Sequence, residues 1–103
     1  MNEYAREIVQ RIPIHPGAIL REDVLPDLEL SVTAFAKGIH TSRQTAHKIL
    51  GEDKGITPEM ALKIAKFTGS TPGLWLRMQQ NYDLYVAEQN LAEELAGMRV
   101  CCG

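Results

Sequence analysis

Apolar residues recur along this chain at helical rather than alternating spacing, and prolines and glycines cut the pattern into short segments. The pattern predicts an all-α fold. Tyr4, Ala5, Ile8, Val9 and Ile12 fall on one helix face, and the run Pro13-Ile14-His15-Pro16-Gly17 interrupts it. A second helix is expected to open at Pro16, because proline tolerates the first turn, to carry Ile19, Leu20 and Val24 inward and to end at Pro26. A third covers 32–38. Thr41 and Ser42 read as caps for a helix over 43–50, with Gln44 three residues after Thr41 as in a capping box.

Thr57-Pro58-Glu59 is a stronger start: a hydroxyl cap, a proline at the first position and an acid at the positive end of the helix dipole. That helix is expected to bury Ala61, Ile64, Ala65 and Phe67 and to stop at Gly69. Ser70-Thr71-Pro72 repeats the phrase and opens a longer helix, with Trp75, Met78, Tyr82 and Tyr85 on one stripe and a break near 88–90. Such a stripe suits either the core or an interface. The expected organisation is one domain over 1–103: an arm over 1–13, a core over 14–70, a helical region over 71–98 and a tail over 99–103.

The stretch Ser31 to Leu50 reads as a helix-turn-helix. Phe35, Ala36 and Ile39 on its first helix meet Ala46 and Ile49 on its second, and Ala36 is small where the two helices cross. At 100° per residue, burying Ala46, Ile49 and Leu50 turns Gln44, His47 and Lys48 outward with Arg43 beside them. Gln can bond adenine bidentately, Arg can bond guanine, and Lys can take a base or a phosphate. Ser42 and Thr45 add hydroxyls suited to phosphate or base edges. A plain helical hairpin with a solvated polar face remains the other reading of this segment. His47 itself is either a base contact or an idle surface group.

Charge sharpens the picture. Residues 1–30 hold three Arg against six acids, 31–77 hold seven Lys or Arg against three acids, and 78–103 hold one Arg against four acids. A basic centre between acidic flanks suits an anion in the middle and another partner at the ends, although the net charge is −2. Composition is ordinary for a globular domain, with 45% hydrophobic and 23% charged residues. The longest apolar run, Leu84 to Ala87, falls far short of the roughly 20 residues of a bilayer span, so no membrane association is expected. Residues 1–7 lack the basic-then-apolar pattern of a secretory signal, so the expected location is the cytoplasm. Cys101 and Cys102 read as two reduced thiols in a tail, and His15, His40 and His47 are too scattered for a zinc site. No metal or cofactor is expected. Nor is catalysis: the chain shows no phosphate-cradling glycine loop, no H-E-x-x-H and no nucleophile with an orienting base. His15, between Ile14 and Pro16, suits a capping or packing role better than a catalytic one.

Several phrases in fixed order carry a resemblance. They are Ile14-His15-Pro16-Gly17, Ile19-Leu20-Arg21-Glu22, Leu30-Ser31-Val32-Thr33-Ala34, Ser42-Arg43-Gln44-Thr45, Gly55 through Leu62, Trp75-Leu76 and Tyr82-Asp83-Leu84. Together they resemble the HigA antitoxins, also called virulence-associated protein I, within the Cro/C1-type helix-turn-helix group. The resemblance implies a five-helix lambda-repressor-like domain with helical extensions at both ends, and a homodimer on the operator of its own promoter. It also implies complex formation with a HigB-like ribonuclease toxin. The implied DNA-binding residues are Ser42, Arg43, Gln44, Thr45, His47, Lys48 and Lys54. Trp75, Met78, Tyr82 and Tyr85 are the candidates for the dimer or toxin interface, with Leu91 and Leu95 as further candidates for meeting a basic toxin.

Two departures from the family pattern stand out. His40 occupies the turn where the family has glycine, so a side chain must adopt the positive φ there. Gly51-Glu52-Asp53-Lys54 stands where Asn-Gly-Lys-Arg is typical, and Glu52 and Asp53 are expected to repel phosphate. Other classes stay open: a helix-turn-helix regulator without a toxin, or a protein-interaction module with little DNA affinity.

Overall fold

Four short polar side chains fix where the helices of this molecule begin. The computed structural model describes residues 12–101. His15 caps α1, the helix over 16–27, by accepting the Gly17 N–H at 2.9 Å on Nδ1, which confirms the capping role expected of it. Ser31 opens α2 (Val32–Gly38), Ser42 opens α3 (Arg43–Leu50) and Thr57 opens α4 (Pro58–Thr68), each hydroxyl accepting the backbone N–H three residues on. At α3 the cap is Ser42 and not Thr41. This moves the capping partner to Thr45 and leaves Gln44 outside the cap. A 19-residue helix, α5 (Pro72–Asn90), and a six-residue one, α6 (Ala92–Gly97), complete the order. Asn90 ends α5 at the far end of the break expected near 88–90. The described residues hold no strand, so the all-helical reading stands.

The helix α1 spans 16–27 and differs from the expected form. It is α-helical over Pro16–Ile19, widens to a π-helical turn over Leu20–Val24 and returns to α over Leu25–Asp27. Pro26 therefore does not end the helix. The i→i+5 turn, closed by the Leu25 N–H on the Leu20 carbonyl, loosens the register just where the proline ring would crowd the preceding turn. The helix over 4–12 falls outside the described residues apart from Ile12.

The core forms where the apolar faces of α1 to α4 and the first half of α5 converge. Leu20, Phe35, Ile39, Ala46, Ile49, Ala61, Ile64 and Trp75 are buried there, and Ala36 sits at the α2–α3 crossing as its size requires. Phe67 is the exception among the expected core residues. It is 38% exposed, and the tip of its ring sits against Gly38, where a Cβ would collide with it. At Thr71 the expected side-chain cap does not form; Ser70 works instead, accepting the Trp75 indole N–H at 2.8 Å and bonding the Thr68 hydroxyl at the same distance.

No helix among the described residues is long and apolar enough to cross a membrane. Nor do they contain a cluster of His, Cys, Asp and Glu placed to hold a metal ion.

Candidate nucleic-acid interface

The candidate site is built by α3. Its buried side carries Ala46, Ile49 and Leu50, and with those three fixed, Arg43, Gln44, His47 and Lys48 all lie on the exposed side. Lys54 is exposed on the loop beyond. The sequence-derived face is thus brought together as one surface. Ser42 and Thr45 are partly committed elsewhere: Ser42 Oγ accepts the Thr45 N–H at 3.0 Å and donates to Thr45 Oγ1 at 2.9 Å. Of the two hydroxyls, Thr45 keeps a proton for an outside acceptor.

The turn leading into α3 requires a positive φ, and His40 adopts it at 53°. The Thr41 N–H closes back onto the Ala36 carbonyl at 2.9 Å and the His40 N–H onto the Lys37 carbonyl at 3.2 Å, so two hydrogen bonds at the end of α2 hold the conformation that glycine would reach without strain. The loop after α3 departs in the same way, with Glu52 at φ 66°.

Glu52, expected to repel phosphate, has an ion-pair partner within the chain. Its carboxylate lies 3.3 Å from Arg21 Nη1, which also donates to the Leu50 carbonyl at 2.6 Å. Arg21 Nε bonds Glu22 at 2.8 Å, and that bond above all, with Glu52 adding to it, holds the guanidinium above its ordinary range against the opposing effect of desolvation. Arg21 is thus shared between two carboxylates and offsets part of the negative charge at Glu52. Arg21 belonged to a matched phrase in the sequence, but nothing in helical periodicity signals that it ties two elements together.

A buried polar seam supports the same loop. Gln79 on α5 accepts the Ile56 N–H at 2.8 Å and donates to Asp83 at 3.0 Å, while Gly55 presses against its amide where a Cβ would be tight. Tyr82, one turn along, meets His15 edge to face at 4.9 Å. Burial pushes the His15 pKa below its ordinary value, with Glu52 and Asp83 opposing the shift. Its neutral form is the one the cap needs, because Nδ1 must accept.

The interface candidates separate. Trp75 is 2% exposed and belongs to the core, so it has no surface left for a partner. Met78 packs partly against the same core, and Tyr82 and Tyr85 are half-buried. Open apolar surface at the C-terminal end of the chain lies at Leu84 on α5, at Leu91, at Leu95 on α6 and at Met98, with a groove of about 580 Å³ lined by Ile56, Leu76, Leu84 and Ala87.

An outward polar and basic α3 on a five-helix core defines a repressor-type helix-turn-helix protein. Virulence-associated protein I of Dichelobacter nodosus is 44% identical over 77 residues, covering 75% of this chain and 71% of that one. The Pseudomonas aeruginosa antitoxin HigA, solved with the higBA promoter, superposes with a TM-score of 0.82 at 28% identity, over 86% of this chain and 98% of that one. The antitoxin GraA in complex with its operator gives 0.78 at 37% identity, over 85% and 91%. No protein-family model matches the chain. The chain belongs to the virulence-associated protein I and HigA family of helix-turn-helix antitoxins.

Proposed function

We propose that this protein is the antitoxin of a type II toxin–antitoxin pair, acting in the cytoplasm, where it represses its own operon through α3 and neutralises a HigB-like ribonuclease toxin. One observation carries the DNA half: Arg43, Gln44, His47 and Lys48 share the outward face of a helix whose opposite face is locked into the core. Arg43 and Gln44, in its first turn, are the base-reading pair, and Lys48 and Lys54 take phosphates. Ser42 serves as the cap that aims this turn, with Thr45 offering its hydroxyl beside it. The two related antitoxins solved with promoter or operator DNA support the same role for this chain.

The protein half rests on the extension beyond residue 80. Exposed Leu84, Leu91 and Leu95, set among Asp83, Glu88, Glu93 and Glu94, suit a second copy of the chain along α5 and a basic toxin along the acidic end. Tyr85 and the open edge of Tyr82 border that surface. A two-fold dimer would read half-sites about one DNA turn, roughly 34 Å, apart.

A mobility-shift titration on the DNA upstream of the gene, with co-purification of the product of the neighbouring gene, tests both halves. Sequence-specific retardation and a small basic partner are expected. Retardation without a partner would leave a helix-turn-helix regulator, and a partner without retardation would leave a protein-interaction module.

A further inference from the structure

Gly17 and Arg21 stand four residues apart and so share a face of α1. That face lies on the last turn of α3. A Cβ at Gly17 would overlap the Ile49 carbonyl oxygen, so only glycine allows the two backbones to approach this closely. One turn on, Arg21 Nη1 reaches the Leu50 carbonyl at 2.6 Å. That carbonyl is one of the groups a helix end leaves without an internal donor. The Lys54 N–H, which would continue the ladder to it, bonds the Lys48 carbonyl instead. The same Nη1 faces Glu52, whose positive φ carries its carboxylate back towards α1.

We infer that Arg21 is a positioning residue for DNA recognition: by holding the C-terminal end of α3 through the Leu50 carbonyl and Glu52, it sets the angle at which Arg43 and Gln44 meet the base edges. The inference rests on the reading of α3 as the DNA-contacting helix. Arg21 is engaged by Glu22, Glu52 and a carbonyl, so it acts through the backbone and not on a phosphate. A pivot at one end of an eight-residue helix, about 12 Å long, displaces the reading end most. Base contacts, which require alignment, are therefore lost before the charge-driven attraction to any DNA.

The test measures affinity for operator and for random duplex DNA, each over a range of salt, for the wild type, Arg21→Met and Arg21→Lys. Circular dichroism at the binding temperature confirms that each is folded. The expected result is a roughly tenfold fall in the operator-to-random ratio for Arg21→Met, an unchanged salt slope, and recovery of most of the ratio in Arg21→Lys, whose ammonium can still reach the carbonyl. An unchanged ratio overturns the inference. A uniform loss on all DNA, with a slope smaller by about 0.9, also overturns it, because that marks a phosphate contact. If the wild type itself did not distinguish operator from random DNA, the proposed function would fail, and hydrogen exchange would judge the clamp separately. Faster exchange of the Gly51 to Asp53 amides in Arg21→Met supports the clamp, and unchanged exchange refutes it.

Discussion

The two halves of α5 obey different rules. Up to Gln79 the helix is part of a closed structure: Trp75 is buried with its indole N–H bonded to Ser70, and Gln79 is buried with both ends of its amide bonded. Beyond Tyr85 every described residue is exposed, and α6 buries nothing at all. A helix of six residues has little stability of its own in water, since the first turn costs more order than its hydrogen bonds return. The first half is a part of the fold. The second presents apolar side chains that the described core leaves uncovered.

The sharpest break between the halves is a pair of truncations. Trp75→Ala is expected to cost about 3–5 kcal/mol, as large-to-small changes in a packed core do, and thermal unfolding followed by circular dichroism reads it directly. Leu95→Ala, measured the same way on the isolated chain, is expected to stay within about 0.5 kcal/mol. The Leu95 change should instead weaken association, seen as a shift in the sedimentation profile or loss of the co-purifying partner. A large loss of stability in Leu95→Ala would erase the distinction.

The same division explains what the sequence made legible. The helix-turn-helix seam of Phe35, Ala36, Ile39, Ala46 and Ile49 and the outward set of Arg43, Gln44, His47 and Lys48 both follow from 100° per residue, and the structure places all of them as expected. The positive φ at His40 was legible only through the family resemblance, which places a glycine at that turn. Long-range polar contacts were not. Arg21 to Leu50 spans 29 residues and Ile56 to Gln79 spans 23, and no periodicity relates such pairs. Glu52 shows the same limit: its charge is visible in the sequence, but its partner is not. Phe67 misled and the stripe of Trp75, Met78, Tyr82 and Tyr85 stayed open between core and interface, since a stripe of apolar residues does not say which member meets the core and which covers an edge.

A smaller effect comes from pH and belongs to the packed part of the fold, at the His15 cap of α1. The folded pKa of His15 lies below its unfolded value of about 6.5, so the neutral cap contributes its full stability above that pH. Stability is expected to fall as pH drops through 6.5 toward the folded pKa and to level off below it, because the unfolded chain binds the extra proton first. Urea midpoints measured between about pH 7.5 and pH 5 should show this decline in the wild type. His15→Asn, which retains a capping oxygen but cannot titrate, should reduce it. An undiminished decline in that variant would assign the pH dependence to other groups.

DNA recognition by the outward face of α3 is tested most directly by operator binding of the wild type and Gln44→Ala, measured against operator variants with single base-pair changes. The account predicts that the wild type distinguishes them. Gln44→Ala should lose about 1–3 kcal/mol on the parent operator and relax preference at one base position, while keeping its salt slope. Equal affinity of both proteins for every variant would contradict it.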